Sequence, residues 1–323
     1  MSTADQVAIN VQHLSKRFGK VEAVRDLTFT VAQGEIFGLV GPDGAGKTTA
    51  MRILAGILPH DAGTAEVAGV DLRRDPEAVK ARIGYLSQVF SMYGDLTVAE
   101  NMAFFADIYC IPYREAAERS SDLLAMTGLA PYADRLADNL SGGMQQKLAL
   151  TCTLIHRPEV LLLDEPTTGV DPVSRRDFWR LLYGLPSQGV TLLVTTPYMD
   201  EAARCARLGV MHEGTLLACD TPEALAAGAA RVVFEFHGEP LREAREVLRA
   251  HPDVTRVESC GRCLHAHSES DRLGAGALTA YLTQAGVRVD SLEPVVPGLE
   301  DAFIALLGRR LTEPAAPAGA ADE

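Results

Sequence analysis

The sequence predicts two domains: a doubly wound α/β domain with a helical insertion between its halves, and a smaller α+β domain behind it. Three observations carry this prediction. VLLLD at 160–164 and VTLLVTT at 190–196 are apolar nearly throughout, as strands are when a parallel sheet is covered on both faces. Between about 79 and 126 a short strand (RIGYLSQ) alternates with amphipathic helical text such as VAENMAFFADIY, which places helices between strands. After Gly228 the order becomes β-α-β-β-α-β: RVVFEFHG, PLREAREVLRAH, the hairpin VTRVESCGRCLHAHS, ALTAYLTQAG and VRVDSLEPV. That order suits a ferredoxin-like fold.

The elements follow in turn. VAINVQHLSKRFG reads as a strand and turn, and LTFTVAQGEIFGLVG as two strands broken at Gln33-Gly34. GKTTAMRILAGIL is helical. The expected domains are 1–228, with its helical subdomain at about 88–148, and 229–310. The Pro- and Ala-rich tail at 311–323 is expected to be disordered.

Composition narrows the function. The chain has 323 residues, 47% of them hydrophobic and 23% charged, enough for full cores. Its formal net charge of -13 argues against clamping a nucleic-acid backbone, so phosphate chemistry must sit in a local loop. The six cysteines form no secreted framework and the first residues form no signal-peptide pattern, which points to the cytoplasm. With no run long enough to span a bilayer, a membrane role must come through partners.

Gly41, Pro42, Asp43, Gly44, Ala45, Gly46, Lys47 and Thr48 fit G-x-x-x-x-G-K-[ST] between an apolar strand and a helix, with Thr49 following. Glycines let backbone amides turn inward around phosphate oxygens. Lys47 would supply a point charge to the β- and γ-phosphates of ATP, and Thr48 a hydroxyl to Mg²⁺. The helix N-terminus adds its partial positive charge. Asp164 ends the strand VLLLD, where a carboxylate can hold the magnesium and its water. Glu165, one residue on, is the candidate general base. Alone, an Asp-Glu pair could be an ordinary strand end; beside the phosphate loop it reads as a catalytic pair.

LSGGMQQK at 140–147 is narrower. Ser141, Gly142 and Gly143 open a helix and offer an anion a hydroxyl, bare amides and a helix dipole. The same residues also read as a capped helix start. With this motif on the page, residues 5–225 resemble the ABC ATPase family, most motifs standing in its order and spacing.

The resemblance implies a P-loop ABC cassette working as a head-to-tail dimer, homo- or heteromeric, with ATP between one phosphate loop and the other subunit's signature. It implies that Gln88 reaches Mg²⁺ and couples to a transmembrane partner, where a bare reading gives a strand-end amide. Asp171, in GVDP, would touch the opposite subunit, or simply begin a helix before Pro172. Phe18 would stack on adenine, or fill a core or turn. SQVFSMYGDLTVAENM and PGLEDAFIALLG resemble the ATPases of ABC-2 type exporters of the drug-resistance group. That implies a subunit at the cytoplasmic face of the membrane driving a separate permease for drug-like or lipophilic molecules. The closing segment reads equally as an amphipathic helix. A soluble ABC ATPase acting on ribosomes or DNA, and a regulatory cassette with weak turnover, are the competing functions.

One departure stands out. Where the family places a switch histidine, the text is Thr195-Thr196-Pro197-Tyr198. Proline has no titratable ring and no N–H, so it cannot bond a γ-phosphate or orient water. Hydrolysis would then proceed through Glu165 with weakened support, or pass to a partner cassette. Finally, Cys260, Cys263, His265 and His267 could form a zinc set, the last three on one strand face. A single CxxC in a hairpin reads rather as a solvated face.

Overall fold

The computed structural model describes residues 6–228, 232–268, 270 and 273–312, with side chains to 307 in the last helix. The chain divides into two compact units between Cys219 and Asp220.

In the first unit, β1 (Val7–Phe18), β2 (Val21–Ala32), β4 (Ala62–Val67) and β5 (Val70–Asp71) form an antiparallel sheet in the order β2-β1-β4-β5. The second sheet has the order β10-β9-β3-β8-β7-β6. It comprises β3 (Ile36–Val40), β6 (Ile83–Leu86), β7 (Val160–Asp164), β8 (Thr191–Thr196), β9 (Arg207–His212) and β10 (Thr215–Asp220). Strands β9, β3, β8, β7 and β6 pair in parallel, and β3, β7 and β8 are buried along their whole lengths. That explains their unbroken apolar text.

One apolar core joins the two sheets to α1 (Lys47–Leu54) and α2 (Pro76–Arg82). Phe29 of the antiparallel sheet stacks on Phe37 of β3, ring centroids 5.3 Å apart, while α1 contributes Met51, Ile53 and Leu54. The helical region is α3 (Val98–Ile108), α4 (Tyr113–Thr127) and α5 (Gly142–Leu154). It has a core of its own, with Val98, Met102, Leu124, Leu148 and Cys152 buried together. A capping box starts α3: Thr97 accepts from the Glu100 amide while Glu100 accepts from the Thr97 amide. The unit is completed by α6 (Pro172–Gly184) and α7 (Met199–Ala202).

The second unit holds α8 (Pro222–Ala227), β11 (Val232–Glu239), α9 (Leu241–Arg249), β12 (Arg256–Cys260) and β13 (Cys263–Ser268). It ends with α10 (Ala275–Gln284), β14 (Arg288–Val295) and α11 (Leu299–Thr312). Its antiparallel sheet has the order β12-β13-β11-β14, the ferredoxin-like arrangement. Phe234, Phe236, Leu264, Leu278 and Leu282 centre its core. The division falls nine residues before the expected end of the first domain at 228, because α8 packs with α11 of the second unit. Helix α11 runs through 311 and 312, and the remainder of the expected tail lies outside the described residues. Among the described residues no helix is long and apolar enough to cross a membrane.

Candidate nucleotide site

Strand register assembles this site. Val40 of β3 lies level with Thr196 of β8, Asp164 of β7 with Thr195, and Leu86 of β6 with Leu163. The C-terminal ends of these parallel strands therefore share one edge, where a doubly wound sheet opens its crevice. The loop at 41–46, the Asp164-Glu165 pair, Gln88 and Pro197 all follow those ends.

Lys47 Nζ donates to the carbonyls of Gly41 at 2.8 Å and Pro42 at 3.1 Å, closing the loop on itself. The same nitrogen lies 3.5 Å from Glu165 Oε1, and both side chains are buried. Backbone crowds the loop: a Cβ on Gly41 would overlap the Met211 carbonyl, and one on Gly46 the Ala23 carbonyl. Gly46 also sits at φ 98°, in the left-handed region where side chains are strained.

Asp164 Oδ1 accepts from the Thr195 hydroxyl at 2.7 Å and the Thr48 hydroxyl at 3.2 Å. Its Oδ2 is buried with no hydrogen-bond partner among the described residues. A bare buried carboxylate oxygen is costly unless a cation or donor meets it. With the Thr48 hydroxyl beside it, the set is made of hard oxygens of the kind Mg²⁺ takes. Glu165 has a left-handed backbone, φ 48°, and its amide donates to the Thr195 hydroxyl at 2.9 Å. Gln88 Nε2 donates to Glu165 Oε2 at 2.9 Å, and the Thr168 hydroxyl to the same oxygen at 3.3 Å. Lys47, Thr48, Asp164, Glu165 and Gln88 thus form one bonded cluster, joined through Thr195. It borders a cavity of about 590 Å³, a size suited to a small-molecule ligand. Val21, Ala23, Arg25 and Glu213 also line it. These four carry no motif, and only the fold brings them here.

The chain is similar to known proteins in sequence and in fold. Residues 24–168 match the ABC transporter family model. The chain is 37% identical over 312 residues to the daunorubicin resistance ATP-binding protein DrrA2 of Streptomyces coeruleorubidus, covering 95% of this chain and 97% of that one. It belongs to the ABC transporter ATP-binding family. It is also 42% identical over 228 residues to the probable multidrug ABC transporter ATP-binding protein YbhF of Escherichia coli. That match takes in 71% of this chain but spans only 39% of the length of YbhF. A solved ATP-binding subunit of an ABC transporter superposes with a TM-score of 0.62 at 26% identity, covering 68% of this chain and 92% of the other.

The cassette's other motif residues stand apart from the cavity. Ser141 caps α5, accepting from the Met144 amide at 3.4 Å, as a helix start requires. Gly143 packs so closely on α6 that an added Cβ would lie 2.5 Å from Ser174 Cβ. Asp171 caps α6, its Oδ1 accepting from the amides of Val173 at 3.1 Å and Ser174 at 3.0 Å. The Ser174 hydroxyl first, and the Ser174 amide next, hold this carboxyl below the ordinary aspartate range. Phe18 is 49% exposed, with Lys16 Nζ 5.5 Å from its ring centre, so it is no core ring. Ser141, Gly142, Gly143, Asp171 and Phe18 do not border the Lys47 cavity.

Pro197 stands just beyond β8, as the sequence implied. Behind it lies a network that no motif announced. Glu201 is fully buried and accepts from the hydroxyls of Thr167 at 2.6 Å and Thr196 at 2.7 Å. Arg175 Nε lies 3.4 Å from Glu201 Oε1, and its guanidinium stands 4.0 Å over the Tyr198 ring. Proline is thus followed by a polar anchor rather than by loose chain.

The hairpin of β12 and β13 corrects the expectation of a solvated face. Cys263 and His267 are buried, at 9% and 2% exposure. The reason is α11, whose Asp301 Oδ1 lies 3.2 Å from His265 Nδ1 and 3.5 Å from His267 Nε2. Burial pushes His267 down to about 4, while Asp301 and Glu235 hold His265 above its ordinary value against the opposing effect of burial. Cys260 and Cys263 are both free thiols, the second donating to the Cys260 carbonyl at 3.0 Å.

Proposed function

We propose that this chain is the ATP-hydrolysing subunit of an ABC-2 type exporter, energising a separate permease from the cytoplasmic face of the cell membrane. One observation carries the reading: Lys47, Thr48, Glu165 and Gln88 line one cavity, and Asp164, bonded to Thr48 behind them, keeps one buried oxygen unpartnered. The loop amides from Gly41 to Thr49 would cradle the phosphates of ATP, and Lys47 would exchange its carbonyl partners for β- and γ-oxygens. Thr48, Asp164 and Gln88 would hold Mg²⁺, which neutralises charge building on the phosphate oxygens. Glu165 would accept the proton of the attacking water, its carboxylate oriented by Gln88 and Thr168.

The exposed position of Ser141, Gly142 and Asp171 supports a second cassette docking head to tail, each signature closing the other's site. Phe18, half-exposed, would stack on adenine. A lipophilic, drug-like cargo is inferred from relatives named for daunorubicin resistance and multidrug transport. Pro197 supports a slow intrinsic turnover rather than a silent site, since Glu165 and its partners are in place.

The test is reconstitution with a candidate permease in proteoliposomes. Efflux of a lipophilic dye should require MgATP and vanish with Lys47→Ala. Absence of MgATP turnover, both for the chain alone and for the complex, would overturn the reading.

A further inference from the structure

We propose that the second unit binds a divalent transition-metal ion of the zinc class through His267 Nε2, Glu258 Oε2 and Asp301 Oδ1. His267 is 98% buried, since only 2% of it is exposed. Neither of its ring nitrogens has a hydrogen-bond partner among the described residues. An imidazole so enclosed normally finds one. What its Nε2 faces instead is two carboxylates: Glu258 Oε2 at 3.6 Å and Asp301 Oδ1 at 3.5 Å. One donor atom from each of the three residues lies within 4.8 Å of the others.

The two separations from Nε2, 3.6 and 3.5 Å, are too long for good hydrogen bonds but fit ligands around one ion. Tetrahedral zinc with bonds of about 2.0–2.2 Å sets its ligand atoms about 3.3–3.6 Å apart. The donor set of one imidazole and two carboxylates suits zinc, and three protein ligands leave a fourth position for water. The ligands are also oriented from behind, as metal ligands usually are. Asp301 Oδ2 accepts from the Gly298 amide at 2.7 Å, and His265 Nδ1 lies 3.2 Å from Asp301 Oδ1. Arg256 Nε lies 2.6 Å from the far oxygen of Glu258, leaving Oε2 toward His267.

A second cluster, Glu235, His237 and Cys263, has the same compactness. Its members are already satisfied: His237 pairs with Glu235 at 2.9 Å, and Cys263 donates to the Cys260 carbonyl. The proposed site therefore differs from the CxxC set suggested by sequence. Its ligands come from β12, β13 and α11, so an ion there would pin the closing helix onto the hairpin.

The experiment uses the full chain without a histidine tag, stripped with chelator and free of nucleotide. Zinc or cobalt(II) alone is added, and content is measured by mass spectrometry and visible absorption. The expected result is one ion per chain, with the intense cobalt bands of four-coordinate geometry. Asp301→Asn and Glu258→Gln should each weaken binding at least about tenfold, and His265→Gln about 10–100-fold as a positioning residue. Cys263→Ser should bind like the native chain. Circular dichroism checks folding, and the near-isosteric Asp and Glu variants carry the test if His267→Gln fails to fold. Absence of a stoichiometric ion, unchanged binding in both carboxylate variants, or loss of binding in Cys263→Ser would overturn the proposal.

Discussion

Glu201→Ala removes the anchor behind Pro197, and the structure sets the scale of its effect. The side chain is fully buried, and its two oxygens take the hydroxyls of Thr167 and Thr196 at 2.6 and 2.7 Å. Truncation leaves two buried hydroxyl donors without their acceptor, at about 1–3 kcal/mol each, although the Thr196 oxygen still accepts from the Tyr198 amide. Arg175, 3.4 Å away, loses its carboxylate as well. A loss of about 2–6 kcal/mol is expected, which at about 2–4 °C per kcal/mol for a domain of this size lowers the melting temperature by at least about 4 °C. Thr196→Val removes only one hydroxyl and should fall between the native chain and Glu201→Ala. Thermal melts of the three proteins, followed by circular dichroism at fixed ionic strength, make the comparison. MgATP turnover should fall in step, because Thr196 and Tyr198 flank the residue that follows β8. A Glu201→Ala melt within a degree of the native chain would refute the argument that this carboxylate holds the segment.

Glu165→Gln should lower turnover by about 10²–10⁴-fold while leaving binding of a fluorescent ATP analogue intact; lost binding would mean the residue is structural. Pro197→His restores a side chain able to bond the γ-phosphate, a contact typically worth about 2.7–4 kcal/mol in a transition state. A faster MgATPase is expected, and equal rates would show that this position does not limit hydrolysis. Gly143→Ala must displace Ser174, 2.5 Å from the new Cβ, at about 1–3 kcal/mol of overpacking, read as a lower melt. His156 stacks on Tyr109 and donates from Nε2 to the Ile83 carbonyl at 2.9 Å; burial, the largest cause, lowers its pKa. Its stability contribution is therefore fully present above the ordinary value of 6.5 and shrinks as pH falls below it. The native melt should drop more steeply than that of His156→Gln between pH 7 and 5 (a window set at roughly the unperturbed imidazole value). Parallel curves would contradict this.

The readable parts of this chain were those whose chemistry is written in adjacent residues. The loop from Gly41 to Thr48 and the Asp164-Glu165 pair each need a fixed local order, so spacing exposes them. Strand class was legible because β3, β7 and β8 are buried on both faces. The partners were not. Thr195 reaches Asp164 only through strand register, and Glu201 meets Thr167 and Arg175 across separate elements. Val21 and Glu213 enter the cavity from different strands and turns. The hairpin departs from its sequence expectation for the same reason. Alternation along β13 shows that Cys263, His265 and His267 share a face, but not that Asp301, 34 residues beyond His267, will cover it. The acidic pair Glu300-Asp301 at the head of the apolar AFIALL text was the available signal.

The backbone of Glu165 carries a consequence of its own. At φ 48° a glutamate occupies a conformation that costs about 1–2 kcal/mol and that glycine or asparagine tolerates more readily. The residue best suited to the torsion is therefore not the one suited to taking a proton. Glu165→Gly would relieve the torsion but leave Lys47, Gln88 and Thr168 without their buried carboxylate partner, so it should melt no higher than the native chain and turn over less ATP. The strained torsion is thus held by the bonds that Lys47, Gln88 and Thr168 make to the carboxylate it aims.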